Sequence, residues 1–394
     1  MKIGLSASII QRGKSGVATY VAGLLRGMAA AGWPVQVVLF GLDDDRTWFT
    51  PWLEACEWVG VAESQRPAVR NILWHQTILP GLLRKHACDV LHIPSYRRLV
   101  ACPDIPQVAT IHDCAPFRMA GKYDRLRMLY GRHVVTRLAR RMHEVIAVSE
   151  ATAADIREFF RVPDARLSVV YNGIAHERFH PMPVEAVRHR LPVTAGWEDG
   201  WWLYVARLEH PGKNHIRLLH AYEALCREDP GSAGRLVLAG ADWHGAEEIH
   251  KAIAASPVRD RIHLAGFVPD SDLPAWYSGA KGLIFPSLFE GFGLPPVEAM
   301  ACACPVLCSD RGSLPEVVGN AAGIFDPEDV GAMTQAMLKL SRAPTWRDQL
   351  VQAGLARAAR FRWETCAAET IRLYHRAADS ANRAEFSRQT QRIS

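Results

Sequence analysis

Long apolar runs are missing from this 394-residue sequence, and no stretch approaches the roughly 18 consecutive apolar residues of a membrane-spanning helix. The amino terminus has one lysine and then a short, fairly apolar stretch, but Gln11 and Arg12 follow at once without a small-residue cleavage site. We therefore interpret this stretch as a first strand rather than a signal peptide. The sequence predicts a chain without membrane spans.

Cysteine occurs nine times, but never in a CxxC pair. Cys302, Cys304 and Cys308 lie together in the apolar segment AMACACPVLCSD. Buried thiols in a reducing compartment account for this pattern better than a metal site. A DxD acid pair in a suitable loop is also lacking, because the run of aspartates at 43–45 follows a strand and is expected to cap a turn. The sequence therefore predicts no metal site.

Charge of one sign is in little excess, since 46 Lys and Arg face 41 Asp and Glu for a formal charge of +5. The sequence has no basic tail, so we expect no nucleic-acid partner. A local basic stretch does occur at 121–144, where lysine and arginine lie beside an apolar stripe. The stripe is explained by an ordinary surface helix that packs on a sheet. The basic face leaves a second hypothesis open, contact with an anionic membrane or a phosphate-bearing acceptor.

Short apolar runs alternate with amphipathic helical patterns along almost the whole chain. Runs rich in Val and Ile with little polar alternation are typical of parallel strands buried on both faces. A polar, Pro-containing stretch at 181–200 interrupts the rhythm, which then restarts. We therefore predict two doubly wound α/β Rossmann-like domains, at 1–180 and 190–365. Ligands of such sheets bind beyond the carboxyl ends of the strands, so two facing domains would place the site in the cleft between them.

The segment 284–310, IFPSLFEGFGLPPVEAMACACPVLCSD, has the pattern of a strand, a glycine turn, a helix and a strand. Glu290 lies in the loop, Gly291 and Gly293 let the backbone approach a ligand, and Glu298 falls in the first helical turn. Carboxylates accept hydrogen bonds from sugar hydroxyls, and N–H groups at a helix start can hold a phosphate. Alternatively, Glu290 is a loop charge and Glu298 a favourable helix-terminal charge. The two acids and the glycine turn together favour a binding site.

Two cations follow the first strand of the second domain, in VARLEHPGKNH at 205–215. Arg207 ends the strand and Lys213 comes six residues later, after a Pro-Gly turn. Arginine can clamp a diphosphate with two hydrogen bonds, and lysine can neutralise a further oxygen. On spacing alone, a pair of solvated loop cations explains the pattern about as well.

His112 and Asp113 end an apolar strand in VATIHDCAPF at 108–117. A lone histidine at a strand end is usually structural. Here it lies at the edge of the sheet where ligands of the first domain should bind. We therefore keep it as a candidate for the reacting centre. Its role, as a base or as a hydrogen-bonding group for a sugar, is not determined by the sequence.

The glycine turn QRGKSG at 11–16 suggests an ATP- or GTP-binding loop at first sight. The pattern GxxxxGK[ST] requires a glycine at position 8, which is Ser8. The sequence also offers no defensible downstream partner for magnesium. A kinase or NTPase is therefore disfavoured, and Lys14 is interpreted as a charge at the rim of the site.

The segment E-GFGLPPV-E resembles the E-x7-E signature of family 4, a large family of retaining glycosyltransferases with the GT-B fold of two Rossmann-like domains. The stretches PSLFEGFGLPPVEAMA and GSLPEVVGNAAGIFDPED extend this resemblance, which covers most of the chain. It is more specific than a lone GxGxxG. Pro296 stands where the third glycine of GxGxxG would be, which makes a nicotinamide dehydrogenase less plausible.

The resemblance implies roles for residues of the second domain. Glu290 would contact hydroxyls of the donor sugar, and Glu298 would bind the nucleotide ribose. Arg207 and Lys213 would stabilise the leaving diphosphate, so that together with Glu290 and His112 they form the implied catalytic set. The implied donor-binding residues are Arg207, Lys213, Gly266, Phe267, Val268, Glu290, Gly291, Phe292, Gly293, Leu294, Pro295 and Glu298.

The resemblance also implies that the first domain binds the acceptor. Family members carry a glycine-rich turn after the first strand, where its backbone can approach a phosphate or the acceptor, and Gly16 is the residue expected to matter most there. The C-terminal helix at 366–386 is expected to pack back on this domain, with frayed residues after it. The implied acceptor and phosphate-loop residues are Gly13, Ser15, Gly16, Asp113 and Asn172.

The activity implied is metal-independent, retaining transfer of a sugar from a GDP- or UDP-sugar to a hydroxyl of a glycan or lipid-linked acceptor, without a cofactor. The general character of the sequence favours mannose from GDP-mannose in bacterial polysaccharide or O-antigen synthesis. A sugar-nucleotide epimerase or hydrolase and a non-catalytic nucleotide-sugar-binding protein are the alternatives. The expected location is the cytoplasm, including a peripheral position on the inner face of the membrane.

Overall fold

The computed structural model describes residues 1–13, 15–102, 104–118, 129–191, 197 and 200–393, with side chains up to 383. The chain forms two compact units. Unit 1 comprises Met1–Gly173 and Arg362–Ser394, and unit 2 comprises Ile174–Phe361. Unit 2 begins at Ile174, before the end of the first domain predicted at 180. The Ile174 N–H donates to the Phe361 carbonyl at 3.2 Å, so the first and last residues of unit 2 are bonded to each other.

Unit 1 is built on a seven-stranded parallel sheet with the order β3-β2-β1-β4-β5-β6-β7. Alternate residues of one strand enter two different apolar clusters: Val38 and Phe40 pack in one, Val37 and Leu39 in the other. A layer therefore packs on each face of the sheet, as the apolar runs predict. The strands are β1 (Lys2–Ser6), β2 (Gln36–Leu42), β3 (Cys56–Val61), β4 (Val90–Ile93), β5 (Gln107–Ile111), β6 (Glu144–Ala147) and β7 (Leu167–Val169).

Helices connect these strands, and some are only a single turn long. The α-helices are α1 (Gly16–Ala30), α2 (Ala68–Thr77), α3 (Leu79–Lys85), α4 (Ala115–Arg118), α5 (Thr136–Ala139) and α6 (Glu150–Asp155). Four 3-10 segments span Asp43–Trp52, Glu63–Gln65, Tyr96–Arg98 and Asp164–Arg166, and π-helical segments span Gly131–Val135 and Ile156–Phe160.

The C-terminal helix, Trp363–Ile393, returns to unit 1. Trp363 and Tyr374 are buried in the same apolar cluster as Val21 and Leu25 of α1. This apolar face holds the helix against the sheet layer. Its backbone stays helical beyond the predicted end at 386, so the expectation of frayed final residues is wrong for 387–393.

The predicted basic helix at 121–144 lies partly outside the described residues, which omit 119–128. In the remainder, Leu138 and Met142 are buried, whereas Leu129 and Val134 are 56% and 43% exposed. Among the described residues of the apolar stripe, those toward its carboxyl-terminal end are therefore the packed ones. Across the described part of the chain, no helix combines the length and the apolar character needed to cross a membrane.

Unit 2 repeats the plan with a six-stranded parallel sheet of order β10-β9-β8-β11-β12-β13. The strands are β8 (Trp201–Val205), β9 (Arg235–Ala239), β10 (Ile262–Gly266), β11 (Gly282–Phe285), β12 (Val306–Ser309) and β13 (Ala322–Phe325). The helices are α7 (Val184–Arg190), α8 (His215–Glu228), α9 (Ala246–Ala255), α10 (Leu273–Gly279), α11 (Leu294–Ala301), α12 (Leu314–Val318), α13 (Val330–Arg342) and α14 (Pro344–Ala358), with 3-10 turns at Arg259–Arg261 and Gly319–Ala321.

All nine cysteines are buried and free, as their apolar surroundings predict. The aspartates at 43–45 lie in the first turn of the 3-10 segment Asp43–Trp52. Asp45 is buried, and its Oδ1 lies 3.3 Å from a guanidinium nitrogen of Arg66. Among the residues that the structure describes, no three His, Cys, Asp or Glu side chains are grouped to hold a metal ion.

Candidate functional site

The strand order of unit 2 reverses between β8 and β11, which are neighbours in the sheet. The loops that follow these two strands therefore leave the same edge on either side of the crevice where doubly wound sheets bind ligands. Arg207 and Lys213 lie in the loop after β8, and Glu290 lies in the loop after β11. Topology alone thus brings three of the sequence-predicted residues to one place.

Lys213 and Glu290 form a direct ion pair in this crevice. The lysine Nζ donates to Oε1 of Glu290 at 2.5 Å, and the two side chains are only 19% and 16% exposed. Both backbones are anchored: Tyr204 donates its hydroxyl to the Lys213 carbonyl at 2.6 Å, and Ser313 donates N–H and Oγ–H to the Glu290 carbonyl at 3.2 and 3.1 Å. The site therefore presents an ammonium and a carboxylate at a fixed position.

Asn214, next to the lysine, holds these loops together. Its side-chain amide donates to the carbonyls of Pro286 at 3.1 Å and of Pro327 at 2.7 Å. A further bond runs from the Leu288 N–H to the Gly212 carbonyl at 3.0 Å. These buried bonds to backbone fix the loop after β8 against the loop after β11. They also explain why an asparagine follows Lys213 in the sequence.

Helix α11 begins directly after the glycine turn, and Gly293 has a φ of +88°. Pro295 and Pro296 occupy positions in the first turn and have no N–H to offer. The helix start therefore supplies fewer phosphate-binding donors than the sequence interpretation assumed, which is a correction. Leu294 is the one residue of the first three in the helix that retains an N–H.

Glu298 lies beyond the first turn of α11, so its predicted position in that turn is wrong, and it has a separate group of contacts. It is 9% exposed and accepts a hydrogen bond from the Tyr277 hydroxyl at 3.0 Å. Burial, reinforced by the negative charge of Asp270, raises the pKa of the Glu298 carboxyl to about 7, against the opposing effects of Tyr277 and Arg178. The group therefore gains or loses its proton near neutral pH, and both forms can accept a hydrogen bond from a hydroxyl.

The predicted segment 266–268 begins at the last residue of the edge strand β10 and continues into the loop after it. The Gly240 N–H donates to the Gly266 carbonyl at 2.7 Å, which fixes this end of the strand against β9. Phe267 is 58% exposed and Val268 is half-buried. An exposed aromatic ring on a fixed strand end is a suitable surface for packing against a flat ligand.

The guanidinium of Arg207 packs on an aromatic ring and lies near a carboxylate. Its guanidinium carbon lies 4.4 Å from the ring centroid of Trp243, and a guanidinium nitrogen lies 3.8 Å from Oε2 of Glu209. The arginine side chain is 42% exposed. It therefore keeps N–H groups accessible to a ligand at the edge of the sheet.

In unit 1, His112 follows β5 and donates from Nε2 to the Pro94 carbonyl at 3.1 Å. Because a carbonyl only accepts, the proton is on Nε2 when the ring is neutral, and Nδ1 is an acceptor. Burial lowers the pKa of His112 to about 4, so the ring is neutral at physiological pH. Asp113 accepts from the Ala115 N–H at 3.0 Å, which gives it a local role at the start of α4.

A buried polar network lies behind His112. The Tyr20 ring packs edge-on against the histidine, with the ring centroids 4.8 Å apart. Its hydroxyl bonds to the Thr110 hydroxyl at 3.0 Å, which also bonds to Nε2 of His92 at 2.9 Å. Nδ1 of His92 bonds to the Tyr374 hydroxyl at 2.7 Å. Residues far apart in sequence thus fix the Tyr20 ring, and this ring orients His112.

The two predicted glycines of the turn after β1 have different surroundings. Gly13 has a φ of +79°, and a Cβ there would lie 2.3 Å from Nε1 of Trp48, so this position requires glycine. Gly16 has open space around it and no positive φ, so no protein atom near it excludes a side chain, and its role toward a ligand stays a prediction. Ser15 caps α1 by accepting from the Ala18 N–H at 3.2 Å.

Two further positions from the sequence are Lys14, in the stretch QRGKSG, and Asn172, near the end of the first segment of unit 1. Lys14 lies outside the described residues. Asn172 is 4% exposed, and its Oδ1 has no hydrogen-bond partner among the described residues. Some of the predicted residues lie in unit 1 and the others in unit 2.

The contributors that the sequence did not predict include Tyr277, which bonds to Glu298, Ser313, which anchors Glu290, and Trp243, which contacts Arg207. Trp243 comes four residues after β9, so its position at the carboxyl end of a strand was a usable signal. Tyr277 and Ser313 lie in a helix and beside a helix start, and only the tertiary structure brings them to the site.

Family models match both halves of the chain. Residues 14–178 match the model described as Glycosyltransferase Family 4, and residues 198–357 match Glycosyl transferases group 1. O-antigen chain mannosyltransferase B of Escherichia coli is 32% identical over 274 residues, which are 68% of this chain and 69% of that protein. MMP alpha-(1->4)-mannosyltransferase of Mycolicibacterium hassiacum is 34% identical over 245 residues, 61% of this chain but only 56% of that protein.

Solved structures show the same fold. Sucrose-phosphate synthase from Thermosynechococcus elongatus aligns with a TM-score of 0.76 and 20% identity, over 96% of this chain and all of that chain. Anabaena HepE in complex with UDP and glucose aligns with a TM-score of 0.75 and 19% identity, over 94% and 98% of the two chains. The two Rossmann-like units are those of GT-B glycosyltransferases, and this chain belongs to the family 4, group 1 glycosyltransferases.

Proposed function

We propose that this glycosyltransferase moves mannose from GDP-mannose to a hydroxyl of a glycan or lipid-linked acceptor in bacterial polysaccharide synthesis, with retention at the anomeric carbon. The observation that carries the proposal is the Lys213–Glu290 ion pair at the point where the strand order of unit 2 reverses, with Arg207 in the same loop as Lys213. Two cations suit the diphosphate of a nucleotide sugar, and the carboxylate suits the hydroxyls of its sugar.

In the proposed reaction, the acceptor oxygen bonds to the anomeric carbon on the face from which the diphosphate oxygen departs. The bond between the anomeric carbon and the diphosphate oxygen breaks, and the acceptor proton passes to the leaving diphosphate. Arg207 and Lys213 stabilise the negative charge that develops on that diphosphate. This arrangement needs neither a metal ion nor a cofactor, and we propose that the enzyme uses neither.

Donor binding would exchange the partners of the ion pair. The Lys213 ammonium would turn from the carboxylate to a phosphate oxygen, and Glu290 would accept hydrogen bonds from the hydroxyls of the sugar. Each charge keeps a partner in both states, which limits the cost of leaving either charge unpaired in a partly buried site. Glu298, on α11, is proposed to bind the ribose.

His112 is proposed to orient a sugar or acceptor hydroxyl through Nδ1 rather than to remove its proton. With its pKa lowered to about 4, the neutral ring is a weak base but a good hydrogen-bond acceptor. The geometry of Gly13, Ser15, Gly16, Asp113 and Asn172 does not test the acceptor role, which stays part of the proposal. Contact of the basic stretch 121–144 with a membrane surface stays part of it as well.

The choice of sugar rests on the relatives, two of which are named mannosyltransferases. HepE was solved with UDP and glucose, so UDP-sugars belong in the same test. Thermal-shift screening of GDP-mannose, GDP-fucose, UDP-glucose and UDP-galactose should give the largest stabilisation with GDP-mannose. Mass spectrometry with lipid-linked acceptors and NMR of the product should then show one added hexose in the anomeric configuration of the donor.

The same assays contain the outcomes that would reject the proposal. Strict loss of transfer in EDTA, restored by a divalent ion, would contradict the metal-independent mechanism. An inverted product would contradict retention. Turnover of the donor without any acceptor product would instead favour an epimerase or hydrolase.

A further inference from the structure

The loops after β8 and β9 are joined by backbone hydrogen bonds beyond the ends of the strands. The Leu208 N–H donates to the Ala241 carbonyl at 3.0 Å, and the Trp243 N–H donates to the Leu208 carbonyl at 3.1 Å. The approach is close, because a Cβ at Gly240 would lie 2.0 Å from the Ala206 carbonyl oxygen. The backbone of Trp243 is therefore fixed relative to the loop that carries the candidate diphosphate ligand.

Hydrogen bonds fix the backbone of Trp243, but its indole is half exposed. One indole face lies under the Arg207 guanidinium, with 4.4 Å between the guanidinium carbon and the ring centroid. A large aromatic side chain left half in solvent beside a functional arginine calls for an explanation other than core packing.

The two cations of the crevice are held by different physical means. Lys213 is paired with a carboxylate, which neutralises it until the partners exchange. Arg207 lies on a ring without net charge, while its nearest carboxylate oxygen, on Glu209, is 3.8 Å away and beyond normal hydrogen-bond distance. An aromatic face restricts the orientation of a guanidinium but leaves its charge available to an anion.

We propose that Trp243 is a positioning residue that holds the Arg207 guanidinium ready for the diphosphate of the donor. The inference rests on the proposed function, since it requires Arg207 to bind that diphosphate. Preorganisation lowers the entropy that the arginine loses on binding, so the ring strengthens recognition of the second phosphate without contacting it. Trp243 is therefore expected to affect binding of a nucleoside diphosphate and to leave binding of the monophosphate unchanged.

The test compares affinities for GDP and GMP, and in parallel for UDP and UMP, by calorimetry on the full chain. Replacing the indole by an aliphatic side chain in Trp243→Leu should weaken diphosphate binding about two- to five-fold. Monophosphate affinity should stay within error. Trp243→Phe, which restores an aromatic face, should recover most of the lost affinity.

Trp346→Leu is the matched control, because this tryptophan also carries a cation, with Lys339 Nζ 4.2 Å from the ring centroid, but on helices α13 and α14. It should leave nucleotide binding unchanged. Equal loss for the diphosphate and the monophosphate in Trp243→Leu would overturn the inference, because the ring would then contact the nucleoside itself. Unchanged affinities would also overturn it.

Arg207→Ala separates this inference from the proposed function. Loss of diphosphate affinity in Arg207→Ala but not in Trp243→Leu would reject only the role of the tryptophan. Unchanged diphosphate affinity in Arg207→Ala, or no diphosphate binding by the wild type, would reject the proposed donor site and the inference together. Melting temperatures of all variants show whether each is folded.

Discussion

Lys213 and Glu290 are 77 positions apart in sequence and hydrogen-bonded at 2.5 Å. The contact depends on the order of the strands, because β8 and β11 are neighbours at the point where that order reverses. The pair thus connects the two loops that carry half of the predicted donor-binding residues. Mutation of the two residues can therefore measure how strongly they interact and whether the substrate replaces their contact.

The first prediction concerns this pair. Glu290→Gln should lower kcat/KM about 10- to 150-fold, the loss expected for one hydrogen bond to a charged group. Lys213→Met should mainly raise the KM for the donor. The double variant should lose less than the product of the single losses, because each single change leaves the partner charge unpaired. Steady-state kinetics of the four enzymes measure this coupling.

An ion pair elsewhere in unit 2 serves as the control. Arg342 and Asp229 lie 3.1 Å apart on α13 and after α8, away from the crevice. Neutralising both should leave transfer unchanged. Strictly multiplicative losses for Lys213 and Glu290 would show that the two residues act independently.

A second prediction concerns pH and Glu298. Its pKa is raised from the ordinary value of 4.5 to about 7, so in this pH range the folded protein binds more protons than the unfolded chain. The contribution of this carboxyl to the free energy of unfolding therefore falls as pH rises through that range. Glu298→Gln removes this dependence. Its melting temperature relative to wild type should increase between about pH 5 and about pH 8.

Glu247→Gln on α9 is a suitable reference for that experiment, because it removes one exposed carboxylate from the same unit. Its melting temperature relative to wild type should change much less with pH. If Glu298→Gln shows the same offset at both pH values, the carboxyl is not buried in the way described.

The third prediction concerns the protonation of His112. With the pKa lowered to about 4, the pH dependence of kcat/KM between about pH 5.5 and 8 should contain no limb from this residue. His112→Ala should lower kcat, whereas His112→Gln should retain more activity, because its amide can both donate to the Pro94 carbonyl and accept from a hydroxyl. A limb near pH 6.5 in the wild type that is absent from His112→Gln would identify the histidine as a base.

A fourth prediction tests the backbone support of Glu290. Gly312 has a φ of +59°, and a Cβ there would lie 2.6 Å from the Glu290 carbonyl oxygen. Gly312→Ala should therefore displace the Glu290 loop and lower kcat while the protein stays folded. Gly231→Ala, at a position with open space and no positive φ, should leave kcat unchanged. Equal activity of the two variants would show that Glu290 tolerates movement of its backbone.

Local sequence patterns predict the strands of this protein well. The apolar run AGIF at 322–325 forms β13, the strand at one edge of the unit 2 sheet. The two Rossmann-like units follow from the repetition of such runs, and the structure confirms them. Glu290, Arg207 and Lys213 could be selected from their position at strand ends and from the family resemblance.

Other features depend on contacts that no local pattern records. Gly13 requires glycine because Trp48, from another segment, fills the space above it. The environment of Glu298 depends on Tyr277, 21 residues away, and on Asp270. The effect of Pro295 on the donors at the start of α11 could have been deduced from the sequence, because proline always lacks an N–H.

The C-terminal helix also affects the order in which the protein can fold during synthesis. Unit 2 is one continuous segment, whereas unit 1 needs residues from both sides of it. The apolar face of α1 stays uncovered until Trp363 and Tyr374 have left the ribosome, after all of unit 2. A chain that stops at Phe361 therefore contains all of unit 2 with its candidate donor site but has an unfinished amino-terminal unit, with the Tyr374 hydroxyl missing from His92.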